Sequence, residues 1–355
     1  MYFFLTTITM AFFFVSHSIY KNLCEPYISN FYINIITYVA LTVLGQSFWL
    51  LFNEKLNKFI EYPLYIVVFT FSFMFFYYII IDCVRLFYLK SNMQILDLRV
   101  LILAILLGIY GFFNRYNIRT TKYKIKTDKN IQLKIAFVSD THIGDTGTNS
   151  TIMNKVVNKI NAQNVDLIIF GGDIVERNPV AFTKTGLNEY FKKLKSTYGT
   201  FAILGNHEYY GGNPYGIAKT LEKDGNMKVL NDEAIEFNDF ILIGREDPTK
   251  IIFGEKRKDI ADIFKNNSNK FKIVADHNPI NFNDSVKNNI DLQLSGHTHN
   301  GQFFPFNLIV KFFYKKPYGL LKENNSKLIT SSGLSTWRIP IKLGSKPEIV
   351  IVEIN

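Results

Sequence analysis

Three stretches near the start of the chain contain no Asp, Glu, Lys or Arg: Met1 to Tyr20, Phe31 to Phe52 and Pro63 to Ile81. A helix at a water interface keeps one polar face, and runs like these leave none. Crossing the hydrocarbon of a bilayer takes about 20 apolar residues. A fourth stretch, Val100 to Phe113, is shorter but is extended by Gln94 to Arg99. The pattern predicts an N-terminal all-α membrane bundle over residues 1–116, with four helices at roughly 1–20, 31–52, 63–87 and 96–115. A signal peptide is the alternative for the first run. It lacks a basic leading segment and an obvious small-residue cleavage site, so it is read as retained. A buried bundle in a soluble protein is the competing account of this half.

With four spans both termini share a side, which then carries Lys55, Lys58, Arg115, Arg119, Lys122, Lys124 and Lys126. The other side carries Lys21, Arg85, Lys90 and Arg99. Positive charge gathers on the cytoplasmic face, so the expectation is a multi-pass cell-membrane protein with its C-terminal part in the cytoplasm. One span fewer inverts that assignment.

The remainder of the chain reads differently. Arg119 to Lys129 is Lys-rich and reads as a basic juxtamembrane linker, set at 117–130, before a domain at 131–355. The two cysteines, Cys24 and Cys83, both lie in the apolar half, so no disulfide framework or thiolate zinc site is available to that domain. A net charge of +10 suits an anionic partner such as a phosphate ester or a bilayer surface, although solvated lysine faces produce the same number.

Short apolar runs at Lys134–Ser139, Asp166–Phe170, Thr200–Leu204, Phe240–Gly244, Phe271–Ala275 and Asp291–Leu294 read as strands. Later runs at Lys327–Ser331 and Glu348–Glu353 read the same way. Helical spacing appears between them at Ser150–Asn161, Leu187–Lys195 and Ile217–Lys223. The alternation predicts an α/β domain with further strands near the C-terminus that form a second sheet.

Polar residues concentrate where these runs end. The first runs into Asp140, Thr141 and His142, and the second into Gly171, Gly172 and Asp173. The third ends in Gly205, Asn206, His207 and Glu208, the fifth in Asp276, His277 and Asn278. The sixth ends in Ser295, Gly296, His297, Thr298 and His299. Five of the six histidines fall in these clusters. Singly, each has a plain reading as a turn, a helix cap or a packed histidine. Together they place metal-type ligands at the carboxyl edge of a sheet, where α/β folds keep their sites.

The ordered set SDTHIG, GGD, GNHE, a later His and GHTHNGQ resembles the calcineurin-like metallophosphoesterases. The tail GLSTWRIPIKLGSKPEIVIVEI resembles the branch that attaches this domain to membrane helices, and the likeness covers about residues 134 to 354. It implies an α/β four-layer sandwich of two β-sheets flanked by helices. It also implies two divalent or trivalent cations (Mn, Fe or Zn) bridged by Asp173. Asp140, His142 and His299 would complete one shell; Asn206, His277 and His297 would complete the other. Ligands of this kind, without thiolate, suit those metals. In His297-Thr298-His299, extended residues two apart point the same way, so both rings can reach one centre.

By the same resemblance His207 protonates the leaving oxygen or steadies the transition state, Glu176 orients it, and Arg177 contacts phosphate. Glu176 is one methylene longer than the usual carboxylate. Asn300 and Arg338 stand where the branch tends to have Gly. Asp276 reads as an acceptor tuning His277, and Tyr209, Tyr210 and Phe303 to Phe306 as an apolar rim or as ordinary packing. The expected function is hydrolysis of a phosphomonoester, phosphodiester or pyrophosphate, with lipid-linked substrates included. Two alternatives stand beside it: a metal-stabilised binding module without turnover, and a nuclease. No separate nucleic-acid motif is present.

Overall fold

The computed structural model describes residues 2–25, 28, 31–46, 58–87, 94–144, 147–176, 178–264 and 269–355. Arg177 and the end of the second expected span, residues 47–52, lie outside the described residues. The chain divides into two compact units. One comprises Met1–Asn114 with Ile339–Leu343; the other comprises Arg115–Arg338 with Gly344–Asn355.

The N-terminal unit is helical: α1 (Tyr2–Ile19), α2 (Phe31–Gln46), α3 (Lys58–Phe87) and α4 (Gln94–Asn114). Its core joins Phe12, Val15 and Ile19 of α1 to Val68, Phe71, Met74 and Tyr78 of α3 and Ala104 of α4. The Ser16 hydroxyl bonds Phe12 O at 2.9 Å and Leu41 O at 3.1 Å, tying α1 to α2. Large apolar side chains also face outward, among them Ile36, Val43, Leu106 and Phe113. Among the described residues one stretch, Tyr62–Ile81, is long and apolar enough to cross a membrane; Tyr32–Gln46 and Leu98–Asn114 are shorter apolar helices. Ile339–Leu343 joins this unit through bonds from Lys342 N–H to Gly111 O at 3.0 Å and from Asn114 Nδ2 to Lys342 O at 2.9 Å.

Among the described residues the second unit holds two mixed six-stranded sheets. Its strands are β1 (Arg119–Ile125), β2 (Leu133–Val138), β3 (Leu167–Gly171), β4 (Thr200–Ile203), β5 (Lys228–Val229) and β6 (Glu233–Glu236). They continue with β7 (Phe240–Gly244), β8 (Phe271–Ala275), β9 (Leu292–Ser295), β10 (Gly319–Glu323), β11 (Ser326–Thr330) and β12 (Glu348–Ile354). Sheet order is β1-β12-β2-β3-β4-β5 in one and β10-β11-β9-β8-β7-β6 in the other. The helices are α5 (Ser150–Asn161), α6 (Pro179–Lys184), α7 (Asn188–Phe191), α8 (Asn206–Tyr210), α9 (Pro214–Gly225), α10 (Ile260–Ile263), α11 (Phe282–Lys287) and α12 (Phe306–Phe313).

The central strands are apolar almost throughout because both their faces are covered. Ile135, Phe137, Leu167, Ile169 and Ile203 meet Leu242, Ile273, Leu292 and Leu294 between the sheets. The alternate residues Ala136, Val138, Ile168 and Phe170 pack on Ile152, Met153, Val156 and Ile160 of α5. Ile241, Ile243 and Val274 cover the far side with Ile260 of α10. Burying each of the larger side chains (Val, Leu, Ile, Phe or Met) contributes about 1.5–3 kcal/mol before conformational entropy is subtracted.

The reading of Arg119 to Lys129 as a linker is corrected: Arg119–Ile125 is an edge strand, paired parallel with β12. Lys122 and Lys124 face outward while Ile125 is buried, so the alternation belongs to a strand whose lysines protect an edge. The helix expected over Leu187–Lys195 shortens to Asn188–Phe191.

Candidate metal centre

Parallel pairing of β2 with β3 and of β3 with β4, and of β7 with β8 and of β8 with β9, brings all five polar strand ends to the carboxyl edges of the two sheets. Among the described residues three groups of donors assemble there, each with its ligand atoms within 4.8 Å of one another: Asp140, His142 and His299; His142, Asp173 and His207; Asp173, His277 and His297. Asp173 lies at the junction. Its Oδ2 is 3.1 Å from His277 Nε2, 3.9 Å from His207 Nε2 and 4.0 Å from His142 Nε2. Its Oδ1 accepts the His207 backbone N–H at 2.9 Å. Asn206 reaches the same cluster through Oδ1, which takes His297 Nδ1–H at 2.7 Å.

Local backbone explains how donors on separate strands converge. Asp140, His142, Asp173, His297 and His299 all have positive φ, between 45° and 69°. A non-glycine residue there costs on the order of 1 kcal/mol, and such strain gathers where side chains must be aimed. The motif glycines permit close approach. A Cβ on Gly205 would sit 2.3 Å from Asp173 Oδ1, and one on Gly296 would sit 2.6 Å from Asp140 Oδ2. Asn300 and Arg338, where the membrane-linked branch tends to have Gly, also have positive φ, at 49° and 56°. Both positions thus keep the backbone that glycine would favour.

The rings of His277, His207 and His142 are held through Nδ1. His277 Nδ1–H donates to Gly171 O at 2.7 Å, which turns Nε2 toward Asp173. Glu176 Oε2 is 2.6 Å from His207 Nδ1 and 3.3 Å from His142 Nδ1, so its extra methylene still reaches both. His142 Nε2 and His299 Nε2 face each other at 3.1 Å.

Electrostatics follow from crowding. Burial opposes ionisation of Asp173, but the charges of His277 and His207 hold its carboxyl well below the usual range. Burial works against the charged form of His142, yet Glu176, Asp173 and Asp140 raise it to about 9. Glu176 is likewise lowered against its burial by His142 and His207. These carboxylates attract positive charge that protons supply here and that cations can supply instead.

The residues fit a metal. Asp140 Oδ2 is buried without a hydrogen-bond partner among the described residues, and His277 Nε2 lies 3.1 Å from Asp173 Oδ2. The donors are carboxylate, amide and imidazole, the set that borderline divalent cations prefer. Mutual donor distances near 3 Å suit groups meant to share an ion.

Two features were not legible in the sequence. Glu208, fully buried, accepts four backbone N–H groups: Gly205 at 2.7 Å, Asp173 at 3.1 Å, Ile174 at 2.6 Å and Val175 at 2.9 Å. It fixes the loop carrying Asp173 against the N-terminus of α8, which carries Asn206 and His207. The second is a buried charge network in which Arg245 bonds Asp232 at 3.0 Å and Arg257 bonds Asp276 at 2.6 Å. The expectation that Asp276 tunes His277 is corrected: its Oδ2 accepts from Arg257, and the His277 Nδ1–H goes to Gly171 O. Among the rim residues, Tyr209 is buried, whereas Tyr210, Phe304 and Phe306 are exposed.

The family model described as calcineurin-like phosphoesterase matches residues 133–301. A metallophosphoesterase of Helicobacter pylori (strain J99) is 35% identical over 258 residues, covering 70% of this chain and 66% of that protein, just under two thirds of its length. A metallophosphoesterase of Aquifex aeolicus is 32% identical over 262 residues, covering 71% of this chain and 98% of that protein. A Bos taurus transmembrane protein with metallophosphoesterase domain is 27% identical over 236 residues, covering 61% and 52%.

Proposed function

Because this chain belongs to the calcineurin-like metallophosphoesterase family, we propose that it hydrolyses a phosphate ester at a dinuclear metal site. The observation that carries the reading is the convergence of ligand-type side chains from five strand ends on the Asp173 carboxylate.

Asp140, His142 and His299 would hold one cation and Asn206, His277 and His297 the other, with Asp173 shared. Manganese, iron and zinc all suit this donor set. Cations held there would supply Lewis-acid chemistry, lowering the pKa of water and stabilising the charge that develops at phosphorus. The chain's own contributions are positional. Gly171 O orients His277, and Asn206 accepts from His297, so each ring presents a fixed nitrogen. Glu176, 2.6 Å from His207 Nδ1, holds the His207 ring so that Nε2 can pass its proton to the leaving oxygen. Arg177, next in sequence to Glu176, is assigned to the substrate phosphate.

We further propose that the N-terminal helices anchor the enzyme in a cell membrane in several passes, with the phosphoesterase domain on the cytoplasmic side. The apolar stretch Tyr62–Ile81 and the outward Ile36, Val43 and Phe113 support anchoring. The substrates are a phosphomonoester, phosphodiester or pyrophosphate, including lipid-linked forms. The test uses the full chain in detergent with Mn²⁺ and bis(p-nitrophenyl) phosphate or its monoester analogue. Turnover by the native chain and its loss in Asp173→Asn supports the reading. Equal turnover by both sinks it.

A further inference from the structure

Helix α12 follows the His299 turn by a few residues and breaks the rule that an apolar helix face packs inward. Six of its eight residues are Phe, Leu, Ile or Val, and none of the eight is buried. Phe312 is 87% exposed and Phe313 71%, with Phe306 and Leu308 also exposed. A second apolar prominence, Ile251 and Ile252, rises from the loop after β7 and is 67% and 61% exposed. Strands β7, β8 and β9 are parallel, so both prominences leave the edge that carries His277, His297 and His299. The link to the site is direct. Tyr314, just past α12, packs its ring 6.0 Å from His297, and Phe253 packs 6.0 Å from Tyr209 beside His207.

We infer that these two prominences form an interfacial docking surface for an anionic lipid leaflet. Aromatic and aliphatic side chains interleaved with lysines are what such an interface takes: the rings enter the acyl boundary while ammonium groups stay with the headgroups. Exposed Lys311 lies within α12, and exposed Lys256 follows the second prominence, so positive charge accompanies each apolar group. The chain carries its own apolar stretch of membrane-crossing length, Tyr62–Ile81, and the membrane anchoring proposed above would make a bilayer the nearest apolar phase available to this chain. Docking in this way presents the phosphate chemistry to headgroups at the membrane surface. The location of the surface is independent of turnover. Its value for lipid-phosphate substrates rests on the hydrolysis proposed above.

The test places a fluorescent reporter on α12. The tryptophans are Trp49 and Trp337, so Phe312→Trp in a Trp49→Phe/Trp337→Phe background gives a single probe. The full chain is reconstituted into phosphatidylcholine nanodiscs containing brominated phosphatidylglycerol. Tyr198→Trp in the same background serves as control, because Tyr198 precedes β4 at the opposite sheet edge and is exposed. The inference expects several-fold stronger quenching at position 312 than at 198, weakened by salt and by Lys311→Glu. Equal, weak quenching at both positions overturns it. So does shielding at 312 that appears in detergent and grows with protein concentration, which would make a second copy the occupant. Turnover of bis(p-nitrophenyl) phosphate, measured on Phe312→Ser/Phe313→Ser, tests hydrolysis separately. It is expected unchanged, while turnover of phosphatidate in the nanodisc falls several-fold.

Discussion

Replacing Glu208 with Gln keeps the shape of the side chain and changes its hydrogen-bonding capacity. Glu208 Oε2 accepts from Gly205 and Asp173, and Oε1 accepts from Ile174 and Val175. A Gln oxygen can serve one of these pairs, which leaves the amide NH₂ facing the two donors of the other. Two buried donors without acceptors cost about 1–3 kcal/mol each, so roughly 4 kcal/mol in all. In a unit of this size that lowers Tm by roughly 8–16 °C. Burial and the Asp173 charge push the metal-free Glu208 carboxyl up to about 8. Cations held at Asp173 would remove that repulsion, and the four donors would then favour the ionised form. The assay is thermal unfolding of the full chain in detergent with Mn²⁺, with retained metal measured in parallel. A fall of this size together with weakened metal retention is expected. If Glu208→Gln unfolds within about 2 °C of the native chain, the side chain behaves as a neutral acid and the reasoning fails.

Other perturbations separate ligands from positioning groups. His207→Gln is expected to lower kcat by about 10²–10⁴ while bound metal, read by elemental analysis, is unchanged. Glu176→Gln weakens the hold on His207 and His142 and should cost about 10–100-fold in activity, with a shifted pH profile as the sign of a positioning role. Gly205→Ala puts a methyl 2.3 Å from Asp173 Oδ1, so metal content should drop even where the domain still folds.

Much of the second unit was visible in the chain because its strands are covered on both faces and therefore read as unbroken apolar runs. The site was visible for a related reason: Asp140, Asp173, His207, His277 and His299 are polar interruptions at the ends of those runs. What escaped depends on three-dimensional neighbours. Strand β1 is an edge strand, and its outward lysines hide the alternation among linker-like residues. Glu208 looks like one more polar residue of GNHE until its four amide partners are folded around it. The Ile339–Leu343 segment reads as part of the C-terminal tail, yet its bonds to Gly111 and Asn114 place it with the helices. Asp276 adjoins a histidine in sequence, but its partner Arg257 is 19 residues away.

The central claim is that metal held around Asp173 and hydrolysis are one property. It is tested most directly by stripping the purified full chain with chelator and titrating Mn²⁺ back, reading bound metal and bis(p-nitrophenyl) phosphate turnover on the same samples. The account predicts that turnover is absent from the stripped chain, rises with occupancy and levels off at two equivalents, with Asp173→Asn neither filling nor turning over. Full turnover at negligible metal content, or a filled site in the native chain with no turnover of diester or monoester, would contradict it.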